Sequence, residues 1–137
     1  MKNTLRILAV AMVAVMLCLT LASCGGPNPD PNKALESLKE NGVTFAGKDT
    51  LIIPTALKIA GVDGISSVVS GTGKIDDKYA HITIIYFEEA EDAKNAFEKV
   101  EDYANKNKGD AEDSDWVFKK SGKMIYYGTK DAVKAAK

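Results

Sequence analysis

The chain has 137 residues, of which 19 are acidic and 18 basic, giving a formal net charge of −1. A nucleic-acid partner is not favoured, because it would need a pronounced basic face. Both cysteines, Cys18 and Cys24, lie near the N-terminus, so the remaining chain has no disulfide, no thiolate nucleophile and no cysteine metal ligand.

The start of the chain has a basic tip, an apolar run and a short motif of small residues. Lys2 and Arg6 supply the positive charge, and the apolar run Ile7–Thr20 follows. Its 14 residues are fewer than the about 20 that a membrane-spanning helix needs, which favours a secretion signal. Leu21-Ala22-Ser23-Cys24 comes next. This pattern resembles a bacterial lipoprotein signal peptide with its lipobox.

The resemblance implies that residues 1–23 are removed and that Cys24 is lipidated, with palmitate among its acyl chains. Two chains are enough for stable anchoring, so the expected location is the extracytoplasmic side of the cell membrane. Gly25 stands where the acidic inner-membrane retention signal of two-membrane bacteria has Asp. Without Lys2 and Arg6, the mature chain has 16 basic and 19 acidic residues and a net charge of about −3.

A proline-rich stretch separates Cys24 from the rest. Residues 24–32 include Pro27, Pro29 and Pro31, and such a sequence favours extended backbone. We predict a spacer outside the fold that holds the domain about 20–25 Å from the membrane. Residues 33–137 are predicted to form a single domain, long enough for one modest core.

Two helices are predicted at the start of this domain. The first covers residues 33–41. The second covers residues 51–60, with Asp49 or Thr50 as its N-cap. The alternative, which the sequence leaves open, is a strand at the start of the second segment and a shorter helix from Pro54.

Two similar blocks follow, each with two strands and a helix. The strongest strand alternates over Tyr79–Phe87, and the strongest helix carries an apolar stripe over residues 88–106. The other predicted elements are strands over 65–70, 115–120 and 123–128, a polar loop over 71–78, and a final helix capped by Thr129. The order predicts an α+β fold with helices on one face of an antiparallel four-stranded sheet, a permuted ferredoxin-like arrangement.

Aromatic residues near the C-terminus supply the candidate contact surface. Trp116 lies on one predicted strand, and Tyr126 and Tyr127 lie on its partner. Adjacent strand residues point to opposite faces, so one tyrosine is predicted to face outward, beside Trp116. An open row of aromatic rings can bind sugars or peptides.

An acidic run offers a weak candidate metal site at Asp110, Glu112, Asp113 and Asp115. Carboxylates suit calcium, but the run lacks the glycine and the closing glutamate of an EF-hand loop. A solvated loop is therefore the favoured interpretation. His81 is the only histidine and is interpreted as structural. No cofactor is predicted.

These observations predict a membrane-anchored lipoprotein of the cell envelope with a small, non-enzymatic binding domain. Its expected partners are the membrane, through the lipid on Cys24, and an envelope protein. The alternative is a small-ligand or calcium-binding accessory domain. An enzyme is the least favoured class, because the sequence shows no nucleophile elbow and no histidine metal motif.

Overall fold

The structure is a computed structural model that describes residues 26–109 and 111–137. The predicted signal peptide, Cys24 and Asp110 lie outside the described residues. None of the helices in the described ranges is both long and apolar enough to cross a membrane.

The described residues form an α+β fold with four α-helices, five β-strands and one short 3₁₀ turn. The helices are α1 (Pro31–Glu40), α2 (Ile52–Ile59), α3 (Ala90–Lys106) and α4 (Lys130–Ala135). The strands are β1 (Phe45–Lys48), β2 (Ile65–Ile75), β3 (Lys78–Phe87), β4 (Trp116–Ser121) and β5 (Met124–Thr129), and the 3₁₀ turn is Asp113–Asp115.

All five strands belong to one antiparallel sheet with the order β1-β2-β3-β5-β4. The prediction of four strands is wrong, because the short segment β1 pairs with the middle of β2. Four residues with one large apolar side chain, Phe45, give no alternating pattern. The sequence therefore did not identify this edge strand.

Helices cover both faces of the sheet, so the prediction of helices on one face is also wrong. The first face packs against α1 and α4, and the second face packs against α2 and α3. The predicted alternation of β3 is confirmed and explains this arrangement. Apolar side chains of β3 point to both faces of the sheet, so each face is buried by packing against helices. Ala80, Ile82, Ile84 and Tyr86 lie in the first core, and Ile85 and Phe87 in the second. The permuted ferredoxin-like arrangement is not confirmed.

The hairpin of β2 and β3 is longer than predicted. Residues 71–75 belong to β2 rather than to a polar loop, and the turn is made by Asp76 and Asp77 at φ 51° and 63°. Two glycines in β2 allow the segment before β1 to pass close over the strand. A Cβ on Gly71 would lie 2.8 Å from Cγ1 of Val43, and one on Gly73 would lie 2.8 Å from the carbonyl oxygen of Gly42.

The second predicted segment is one helix, α2, and the alternative strand at residues 51–53 is not formed. Its start is fixed by Asp49 rather than Thr50. One carboxylate oxygen of Asp49 accepts hydrogen bonds from the amides of Leu51 and Ile52, and the other accepts one from Ile53. Pro54 fits because it lies in the first turn, where its missing amide hydrogen costs nothing.

Residues 26–32 pack against the domain rather than forming a free spacer. Asp30 caps α1, which begins at Pro31, two residues before the predicted domain boundary. Pro27 is buried, and the amide of Asn28 donates to the carbonyl of Ala136 at 2.8 Å. The prolines therefore shape a docked segment, since Pro31 takes the helical N1 position that proline favours.

Candidate binding surface

The two tyrosines that the sequence offered as a contact surface are buried. Tyr126 is 2% exposed in the first core, and Tyr127 is 1% exposed in the second. They do point to opposite faces, but helices cover both, so neither side chain is open to a binding partner.

Trp116 instead belongs to a row of parallel rings on the second face. The ring of His81 lies 6.4 Å from that of Tyr79 and 6.1 Å from that of Trp116, and both pairs are within 4° of parallel. We call these three residues the aromatic row. Two are half-buried and Tyr79 is 43% exposed. Tyr127 lies beneath them, tilted against both His81 and Trp116.

Two polar atoms in the aromatic row, Nδ1 of His81 and Nε1 of Trp116, are buried and have no hydrogen-bond partner among the described residues. Each such atom costs about 1–3 kcal/mol relative to a satisfied one. Burial also lowers the pKa of His81, so the neutral imidazole is favoured.

The acidic run lies beside the aromatic row but does not gather into a metal site. Asp113 pairs with Lys108, whose ammonium also lies 5.5 Å from the ring centre of Trp116. Glu112 and Asp115 line a cavity of about 440 Å³ next to Tyr79. Within the described ranges no three His, Cys, Asp or Glu side chains are placed to hold a metal ion.

A second group of exposed side chains was missed by the sequence interpretation. Four large apolar side chains within residues 45–59 are 70–83% exposed: Phe45, Leu51, Ile52 and Ile59. We call them the apolar flank. Phe45 is on the edge strand, and the others lie at or in α2, which packs on the second face.

The register of the sheet places Phe45 of the apolar flank in line with the aromatic row. Phe45 pairs with Thr72 on β2, and Thr72 pairs with His81 on β3. Side chains directly opposite one another in antiparallel strands share a face. Thr72 is itself exposed. Phe45, Thr72 and His81 therefore form a continuous line across three strands at an end of the sheet that α2 and α3 leave open.

The amino-acid composition of α2 indicates exposed apolar side chains, which its periodicity alone does not. Helical spacing puts Ile52, Ile53 and Leu57 on one apolar face, but Leu57 is the buried residue of α2, Ile53 is half-buried and Ile52 is exposed. An eight-residue helix with three isoleucines and a leucine carries more apolar surface than one buried face can hold.

No protein-family model matches the chain, and no curated protein or solved structure matches it.

Proposed function

We propose that this protein is a bacterial envelope lipoprotein, anchored through lipid on Cys24, whose domain binds another envelope protein through the apolar flank. The proposal places the domain on the extracytoplasmic side of the membrane and gives it no catalytic step. The observation that carries the binding role is the 70–83% exposure of four large apolar side chains within residues 45–59.

The exposure of the four apolar-flank side chains is the physical basis of this proposal. Single exposed apolar residues are ordinary, but groups of them on a small domain mark interaction surfaces. The edge position of β1 adds unpaired backbone groups beside Phe45, which a partner strand can use. No comparable observation favours calcium, because Asp113 is already paired with Lys108.

The binding role is tested by crosslinking in the native envelope. A photoreactive residue at Ile59 is expected to give a discrete crosslinked product, which the double variant Phe45→Ser, Ile52→Ser abolishes. Because these side chains are exposed, the double variant should change the free energy of unfolding by no more than about 1 kcal/mol. The control is Glu36→Ser with Glu40→Ser, two exposed positions on α1. A product that survives the Phe45 and Ile52 changes, or that the control also removes, contradicts the proposal.

The anchor is tested separately with Cys24→Ala. The parent chain is expected to incorporate labelled palmitate and to fractionate with membranes. The variant should lose the label and should be either released or left unprocessed, because cleavage and anchoring both depend on the cysteine. A variant that remains mature-sized and membrane-bound would refute the anchoring proposal.

A further inference from the structure

The segment that leads into the first helix is fixed against one end of the sheet. The hydroxyl of Tyr86 donates to the carbonyl of Asn28 at 2.7 Å, and the amide of Asn28 donates to Ala136. Gly26 lies so close to Tyr126 that an added Cβ would stand 3.0 Å from the tyrosine oxygen. The position of Gly26 relative to the sheet is therefore set by packing.

This docking determines how far the domain can be from its anchor. Two peptide steps separate Cys24 from Gly26, and they span at most about 7 Å. A spacer of about 20–25 Å is therefore not available. A lipid on Cys24 would bring the end of the sheet that holds Tyr86 and Met124 directly to the bilayer surface.

At the same end, the β4–β5 hairpin carries a cluster of positive charge. The β4–β5 hairpin turns there, because Ser121 pairs with Met124 and Met124 pairs with Tyr86. Residues 116–124, which include this turn, hold no acid and three exposed lysines: Lys119, Lys120 and Lys123. This distribution contrasts with the net negative charge of the whole chain.

A cavity of about 540 Å³ opens beside the docked segment. Gly26, Pro27, Tyr86 and Met124 give it largely apolar walls, and Lys123 and Lys137 add positive charge. The acidic Glu88 lies at this end too, because Phe87 before it donates to the carbonyl of Lys123, but the amide of Glu88 bonds to Gly64 on the β2 side of β3. An anionic surface therefore attracts the β4–β5 hairpin and repels the Glu88 side of the same end.

We propose that the Lys119–Lys123 hairpin end of the domain docks on anionic phospholipid headgroups of the membrane that carries the anchor. The inference rests on the proposed lipidation of Cys24 and adds to it a defined orientation. The apolar flank and the aromatic row are then not part of the membrane contact. Each lysine at an anionic surface is expected to raise the docked population about fivefold.

The test uses the mature lipidated protein reconstituted in vesicles of phosphatidylglycerol mixed with phosphatidylcholine, because anionic lipid attracts basic segments. A nitroxide is attached at Ser121→Cys or, in the matched case, at Thr72→Cys near the opposite end of the sheet. The readout is the accessibility of each nitroxide to a water-soluble paramagnetic nickel complex. We expect severalfold lower accessibility at residue 121 than at residue 72. Equal accessibility would overturn the proposal.

Charge variants separate electrostatic docking from simple proximity. Changing Lys119, Lys120 and Lys123 to Gln is expected to lower the docked population about a hundredfold and to restore accessibility at residue 121. The control changes three other lysines to Gln: Lys48, Lys74 and Lys78. These lysines are exposed and lie away from the hairpin end. Shielding that persists in pure phosphatidylcholine, or in the hairpin variant, overturns the role of anionic lipid.

The two proposals fail in different ways. Absence of palmitate on the purified chain contradicts the anchor before any vesicle is made. A palmitoylated chain whose residue 121 is as accessible as residue 72 keeps the anchor and contradicts the docking.

Discussion

His81 is a half-buried histidine whose surroundings disfavour its charged form. The rings of Tyr79 and Trp116 lie parallel to it, Tyr127 is tilted against it, and no described residue forms a hydrogen bond with its Nδ1. Burial holds the pKa of His81 below its usual value of 6.5. The unfolded chain therefore takes up a proton at a higher pH than the folded protein does.

This difference predicts a decrease in stability on mild acidification. As the pH falls through about 6.5, the unfolded state binds more protons than the native state, so the free energy of unfolding decreases. Urea unfolding between pH 7.5 and 5.5 should show the decrease, a range in which ordinary carboxylates stay ionised. His81 is the only histidine, so in His81→Gln the free energy of unfolding is expected to stay constant over this pH range. A pH dependence that remains in this variant would show that another group is responsible.

At the scale of the element, α2 depends on one carboxylate that precedes it. Burial raises the pKa of Asp49, but hydrogen bonds from the amides of Ile53, Leu51 and Ile52 outweigh it, and the pKa is lowered overall. The ionised Asp49 carboxylate therefore stabilises the folded state at neutral pH, and this stabilisation is lost as the pH falls below about 4. The cap also directs the chain from edge strand β1 onto the second face.

Replacing this cap is expected to weaken the fold measurably. Asp49→Ala removes the acceptor of three amide hydrogen bonds and should lower the free energy of unfolding by about 1–2 kcal/mol. Thermal or urea unfolding measures the change. Thr50→Ala is the matched control, since Thr50 is exposed and was the competing cap in the sequence; we expect it to change stability by less than about 0.5 kcal/mol. Equal effects of the two substitutions would contradict the assigned cap.

Elements with a long, regular pattern were predictable, and those defined by distant contacts were not. The stripe on α3 is confirmed, because a 17-residue helix repeats its apolar face several times. Edge strand β1 could not be found, since its ladder with β2 is made by residues far along the chain. Thr129 does precede α4, but its hydroxyl accepts from the amide of His81 instead of capping the helix.

The candidate site was predictable only in part, for a related reason. Trp116 was identified from its strand, whereas its stacking with His81 depends on β3 and β4 being joined through β5. The apolar flank was missed because periodicity shows which residues can share a face of a helix or strand. It does not show which face packs against another element and which stays exposed. Tyr126 and Tyr127 illustrate the converse: the alternation was right, and the second layer of helices removed the open face.

At the scale of the whole molecule, the two ends of the described chain meet at the same end of the sheet. Asn28 donates to Ala136, and Tyr86 donates to Asn28. This arrangement couples the stability of the fold to the position of residues 26–28, because buried core residues hold that segment. If Cys24 is lipidated as proposed, the domain would present a fixed surface away from the membrane.

The coupling predicts an effect of one hydroxyl group on the docked segment. Tyr86→Phe removes the donor to Asn28 from a side chain that is 5% exposed, and it should lower the free energy of unfolding by about 1 kcal/mol. Hydrogen exchange at the amide of Asn28 should accelerate more than exchange in the strands, since the segment opens locally. Tyr79→Phe, at a ring that is 43% exposed, is the control and should change neither quantity. Unchanged exchange at Asn28 in Tyr86→Phe would mean that the segment stays docked without this bond, and that burial of Pro27 and the bond to Ala136 are sufficient to hold it.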